Sequence, residues 1–385
     1  MIPSELEILL GPLERFEGIR REAARLGGRL ADLSYANPYE GVHESVRTAL
    51  KETLAEERLL DLQYSPFGGQ TLVRRAIADS LRSTHELEVG WTDIVLTPGA
   101  MGALHVALRT AGGPGNEVVI PVPCWLDYPL YTLHTGLRPV TVRLEPPRFD
   151  LDPAAIEASI SRETCAVLLS HPANPTGRSY RPAELSELAA SIRRAESRLG
   201  CEVTLIADET HRDFASPGSY GSAAGFFERT VIVYSFGKYH FIQGQRIGYA
   251  AVSPDHPDRQ RVATEMTRWT RITGLCTPTA VMQRAVPRLL KLRHDAEWLS
   301  RSRERVVSEL TAAGYSVVEP DATLFVYVRN PSGKDDFEFV EQLVARGVLV
   351  LPAPVFHHDG YFRISLTGSQ HMLDRALEVL TEPRV

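Results

Sequence analysis

From about residue 94 to residue 252, short apolar runs alternate with stretches of helical period, and this alternation predicts the main body of the chain. Runs at residues 94–96, 117–121, 138–144, 166–170, 203–207, 230–234 and 247–252 read as seven strands. Helical spacing lies between them, clearest at residues 100–111 and 183–198. Strand and helix in turn is the pattern of an α/β domain with a mainly parallel sheet flanked by helices. Ligands of such sheets gather at the carboxyl ends of the strands, so chemistry is expected just past each run.

The flanking segments have a different rhythm. Leu6, Leu9, Leu10, Leu13 and Phe16 fall at helical spacing and predict a helical arm over residues 1–30, ahead of Gly27 and Gly28. Residues 72–81 form an amphipathic pattern. Beyond Thr277 and Pro278, helices near 280–292 and 296–313 lead into a smaller module. It combines strands at 316–319, 325–328, 348–351 and 361–365 with helices near 337–345 and 371–380. The division this suggests is 1–50 for the arm and part of a small domain, 51–290 for the large domain, and 291–385 for the rest of the small one.

Composition narrows the class. With 43% hydrophobic and 23% charged residues and a formal charge of −6 spread over mixed signs, the chain reads as an ordinary globular protein. It lacks the clustered basic face of a nucleic-acid binder. Cys124, Cys165, Cys201 and Cys276 form no CxxC pair, so neither a metal site nor a disulfide framework is expected. The N-terminus mixes acids with apolar residues, unlike a signal peptide, and no apolar run approaches membrane-spanning length. A cytoplasmic protein with reduced thiols, touching neither membrane nor nucleic acid, is the expectation.

The candidate chemistry centres on Lys238, one of only four lysines in a chain rich in arginine. A partly desolvated amine can form a Schiff base with an aldehyde, which a guanidinium cannot. Ser235 and Arg246 flank it and could hold a phosphate beside it. Gly99, Ala100 and Met101 open a helix directly after a strand, where free N–H groups could bind the same phosphate. Trp125 offers a broad apolar face, and Asn174 stands in a tight Asn-Pro-Thr-Gly turn after a strand. Asp208 ends a buried strand, where a carboxylate is costly unless paired. Arg363 has the fork geometry that suits a carboxylate. Each also has an ordinary reading: a surface lysine, a core tryptophan, a plain turn, a helix cap, a strand arginine.

Ser-Phe-Gly-Lys followed by Gly-x-Arg-x-Gly resembles the cofactor-lysine signature of class I/II aminotransferases, the fold-type-I pyridoxal-phosphate enzymes, and the other motifs follow in that family's order from Ala36 to Arg363. The resemblance implies pyridoxal 5′-phosphate on Lys238, in a large domain completed by a small α+β domain built from both chain ends. It implies a phosphate cup of Gly99, Ala100, Met101, Ser235 and Arg246, with Trp125 stacked on the ring. Asn174 would donate to the ring oxygen, Asp208 would pair with the ring nitrogen, and Arg363 would grip the substrate carboxylate under a loop containing Ala36. The Tyr64 segment resembles the one whose tyrosine reaches the neighbouring subunit's phosphate, which implies a homodimer with shared sites. Four positions depart from the pattern: Ala36 for glycine, Cys124 for tyrosine, Gly237 for serine, and His211 for the tyrosine that shares the ring oxygen with Asn174. An imidazole at position 211 is expected to titrate near neutrality.

The function implied is transamination of an amino acid or an amino-acid derivative, with Lys238 carrying the Cα proton. His211 raises an alternative, a β-eliminating lyase or a decarboxylating or oxidative deaminase. A relative that binds the cofactor without turnover is a second alternative.

Overall fold

In a computed structural model that describes residues 3–39, 42–56, 58, 62–215, 218–294 and 297–382, thirteen strands are found among the described residues. They are β1 (Ala31–Asp32), β2 (Ile94–Thr97), β3 (Glu117–Val122), β4 (Arg138–Arg143), β5 (Thr164–Ser170), β6 (Thr204–Asp208), β7 (Thr230–Ser235), β8 (Gly248–Val252), β9 (Val317–Val318), β10 (Phe325–Arg329), β11 (Val348–Leu349), β12 (Leu351–Pro352) and β13 (Tyr361–Ser365). The seven strands expected from the alternation form one sheet in the order β2-β8-β7-β6-β5-β3-β4. Its pairings are parallel except those made by β8, which runs antiparallel to both β2 and β7. The expected α/β class with a mainly parallel sheet is what the chain adopts.

Central strands such as β6 and β7 are buried along nearly their whole length, with apolar interiors at residues 205–207 and 231–233, because helices cover both sheet faces. On one face, Leu104 and Leu108 of the helix Gly99–Ala111 pack with Ile206 and Val233. On the other, Leu188 and Ile192 of the helix Pro182–Leu199 pack with Leu205 and Val167. The close contact of the first helix with β7 and β8 brings its N-terminus to the carboxyl end of the sheet.

The smaller module is a four-stranded antiparallel sheet, β12-β13-β10-β9, with the helices Glu297–Ala312, Asp336–Ala345 and Gln370–Thr381. Both chain ends enter its core, Phe16, Ile19 and Leu33 packing with Phe362 and Leu377. The parallel pair of β1 with β11 stitches the two ends together. Residues 348–351, expected as one strand, divide at Val350 into β11 and β12, which join different sheets. The expected strand 316–319 is only β9, and the helix expected over 280–292 ends at Leu289. The arm is the helix Ser4–Ala23, whose buried face is Phe16, Ile19 and Ala23 rather than its leucines.

Candidate active site

Three parallel strands end at one cleft. Ser170 closes β5, Asp208 closes β6 and Ser235 closes β7, and Ser170 and Asp208 are direct partners across the ladder. The chain turns out of β7 into the short helix Phe236–Tyr239, which carries Lys238. The resulting open cleft is lined in part by Trp125, Asn174, Asp208, His211, Lys238 and Arg246. Six residues drawn from widely separated motifs are therefore brought together, and Ala100, Met101 and Ser235 share the same walls.

Lys238 sits where an amine is easily discharged. Burial, reinforced by the charges of Arg363 and Arg246, lowers its pKa to about 8, against the opposing pull of Asp208. Asp208 accepts from Tyr128 Oη at 2.8 Å and from the Thr210 N–H at 3.0 Å. Burial nonetheless pushes its carboxyl above the ordinary value, so a cationic N–H would be a favourable neighbour.

His211 departs from expectation. Burial, with the charges of Lys238 and Arg363, holds its imidazole well below 6.5, so it is neutral rather than titrating near neutrality. Its ring stands edge-on to Phe325 at 5.4 Å, and its Nδ1 has no hydrogen-bond partner.

The side of the cleft expected to take a phosphate is built from close approaches at glycine. Gly99 has φ +74, and a Cβ there would lie 2.9 Å from Arg246 Nη2. A Cβ on Gly248 would lie 2.4 Å from the Tyr234 carbonyl oxygen and 2.7 Å from the Gly99 carbonyl carbon. This contact lets β8 pass under the helix N-terminus. Ser235 Oγ accepts from the Gly237 N–H at 3.2 Å, which leaves its proton free to donate. Arg246 is fixed through Nη1 to the Gln243 carbonyl at 2.8 Å.

Arg363 enters from β13. It is 3% exposed, donates to Asn174 Oδ1 at 2.8 Å and to the Ser34 carbonyl at 2.8 Å, and lies 3.8 Å from the Phe325 ring centre. Among the described residues no carboxylate pairs with it, and its Nε has no partner. A buried guanidinium held only by neutral groups has the charge and fork geometry to receive a carboxylate.

Residues 30–380 match the family described as aminotransferase class I and II. The chain belongs to this family. It is 28% identical over 368 residues to the aspartate/prephenate aminotransferase of Thermus thermophilus, covering 93% of this chain and 91% of that protein. It is 26% identical over 395 residues to the aromatic-amino-acid aminotransferase 2 of Thermococcus litoralis, covering 98% and 94%. In fold it is similar to a solved amino transferase of Eubacterium rectale, with TM-score 0.90 and 24% identity over 99% of this chain and 98% of that one. Enzymes of this family use pyridoxal 5′-phosphate.

Four expected residues do not line the cavity of this family member. Gly99 lies behind Arg246, and Arg363 reaches the lining through Asn174. Tyr64 is fully exposed, and Ala36 reaches the site only through its carbonyl, which accepts from Gln243 Nε2 at 2.8 Å. Tyr128, Ser170, Thr210 and Gln243 line the cavity without having been singled out. For Tyr128 a signal existed, since it is the second aromatic of the Trp125 motif.

Proposed function

We propose that the protein is a pyridoxal-phosphate-dependent aminotransferase acting on an α-amino acid, and that it works as a homodimer. The observation that carries this reading is Arg363, a buried cation with no carboxylate partner among the described residues, bonded to the cavity residue Asn174 and close enough for its charge to lower the pKa of the Lys238 amine. The residues present fit the cofactor. The Gly99 turn, Ser235 and Arg246 would hold its phosphate, Trp125 would cover the ring, and Asp208 would face the ring N–H. Bound there, the cofactor supplies a carbonyl for exchange with the substrate amine and a ring that withdraws the electron pair left at Cα.

Asn174, whose Oδ1 accepts from Arg363, would offer its amide N–H groups to the ring oxygen, and neutral His211 would offer one N–H donor or one ring-nitrogen acceptor beside it. Arg363 would seize the α-carboxylate and thereby fix which bond at Cα faces Lys238. With its pKa near 8, Nζ of Lys238 is suited to take the Cα proton and return it at neighbouring carbon. The names of the relatives support aspartate, aromatic amino acids and their keto acids as first substrates to try.

Exposed apolar side chains at Leu62, Phe67, Leu72 and Ile272 support a second copy covering this face, which would carry each Tyr64 to its neighbour's phosphate. Four free cysteines support a reducing, cytoplasmic setting. No helix among the described residues is long and apolar enough to cross a membrane. The test is to add single amino acids to the cofactor-loaded protein and follow its absorbance together with keto-acid formation. Colour change with stoichiometric keto acid is expected; ammonia, carbon dioxide or peroxide as the product would contradict transamination.

A further inference from the structure

The Asn174 turn is bolted to the smaller sheet by an arginine that never touches the cavity. Arg178 has only 2% of its side chain exposed. Its Nε donates to Asp150 Oδ1 at 3.1 Å, its Nη2 binds the same oxygen, and its Nη1 binds Asp321 Oδ2. Asp321 Oδ2 also accepts from the Ser179 N–H at 3.1 Å. Two backbone bonds run alongside, from the Asp321 and Ala322 N–H groups to the Gly177 carbonyl at 3.0 and 2.9 Å. Gly177 is required there, because at φ +77 its Cβ would fall 2.5 Å from Pro320 Cβ.

What the clamp joins is specific. On one side, the turn is closed by the Ala173 N–H on the Arg178 carbonyl at 2.7 Å and the Gly177 N–H on the Ala173 carbonyl at 2.8 Å, and it carries Asn174. On the other side, the 320–324 segment runs directly into β10, whose first residue, Phe325, lies under Arg363 and against His211. Tyr327 of β10 is the ladder partner of Arg363 itself. Asn174 and Arg363 must therefore keep one spacing for their 2.8 Å bond, although they belong to different sheets.

Resting on the reading of the cleft given above, we propose that Arg178 is a positioning residue that sets the carboxylate-binding geometry of Asn174 and Arg363. The two acids of the clamp are 44% and 38% exposed, so removing Arg178 leaves them able to hydrate and the fold able to form. The loss falls on the alignment of the pair instead.

Two reagents isolate this effect without knowledge of the natural substrate. Aminooxyacetate and methoxyamine both displace Lys238 from the cofactor aldehyde as oximes, and of the two only aminooxyacetate carries a carboxylate. In the cofactor-loaded Arg178→Met protein the ratio of their rate constants, read from absorbance, is expected to fall about tenfold while the methoxyamine constant stays within about twofold. Arg178→Lys should recover part of the ratio, and Asp321→Asn should lower it in the same direction. Equal loss with both reagents, or an unchanged ratio in Arg178→Met and Asp321→Asn, would overturn the assignment. A coloured wild-type protein that fails to prefer aminooxyacetate would also overturn it. A wild-type protein that stays colourless with the cofactor would overturn the reading of the cleft itself, and this inference with it.

Discussion

Arg363 Nη1 donates to Asn174 Oδ1 at 2.8 Å, joining the four-stranded sheet to the turn that follows β5 of the seven-stranded one. One contact thus ties both residues together. The asparagine oxygen is spent on the guanidinium, which leaves its amide protons for other partners, and the guanidinium keeps an unpartnered Nε, as the proposed carboxylate-binding role requires.

Replacing Arg363 by lysine removes the fork while keeping the charge. The expected result is a rise in KM for the amino acid of about tenfold to a hundredfold, the equivalent of about 1.5–3 kcal/mol for a charged hydrogen bond, with a smaller fall in kcat. Steady-state kinetics check this, and an unchanged KM would show that the carboxylate binds elsewhere.

Lys238 gives a prediction in pH. Its neutral form is the nucleophile, and its pKa is lowered from 10.5 to about 8, so the neutral fraction rises with pH through a midpoint near 8. The rate at which the cofactor-free protein captures the aldehyde should follow that curve. A midpoint above 10, typical of an exposed lysine, would contradict the desolvated placement.

Buried histidines set the acid limit of stability. His171, fully buried, is lowered to about 4, and His211 lies well below 6.5; burial is the leading cause for both. Below pH 6.5 the unfolded chain binds protons that the folded one refuses, so stability is lost as pH falls from 6.5 toward 4. The slope is up to about 1.4 kcal/mol per pH unit for each group. Urea denaturation at pH 7.5 and 5.5 should show this decline, and His171→Gln should make it shallower. An NMR titration of His211 with a midpoint near 6.5 would contradict its burial between two cations.

Gly248 is expected to tolerate no side chain. An alanine methyl 2.4 Å from the Tyr234 oxygen must push β8 away from β7 or lift the Gly99 turn. Gly248→Ala should cost about 1–3 kcal/mol in thermal unfolding and weaken cofactor retention. Wild-type stability in that variant would mean that the β7–β8 approach is looser than described.

Much of this was legible in the sequence, because burial writes a period into the chain. The β6 and β7 runs are apolar for the reason that both their faces are covered, and each ends in the polar residue, Asp208 or Ser235, that faces the cleft. The motif residues Lys238, Asn174 and Trp125 converge for the same reason, since parallel strands deliver their ends to one side, and Arg246 joins them from just before the antiparallel β8. Side-chain bonds across long separations leave no such trace. Tyr128 reaches Asp208 from 80 positions away and Gln243 reaches Ala36 from 207. The neutrality of His211 likewise depends first on burial and then on the charges of Lys238 and Arg363, surroundings that only the folded chain supplies. The break at Val350 was hidden because an apolar run looks the same whether it serves one sheet or two.

The most direct test of the account uses the scarcity of lysine, of which the chain has four: Lys51, Lys238, Lys291 and Lys334. The protein loaded with pyridoxal phosphate is reduced with borohydride, digested, and the labelled peptide is identified by mass spectrometry. The account predicts label on Lys238 alone and none in a Lys238→Ala protein; label on another lysine, or full turnover by the Lys238→Ala protein, would contradict it.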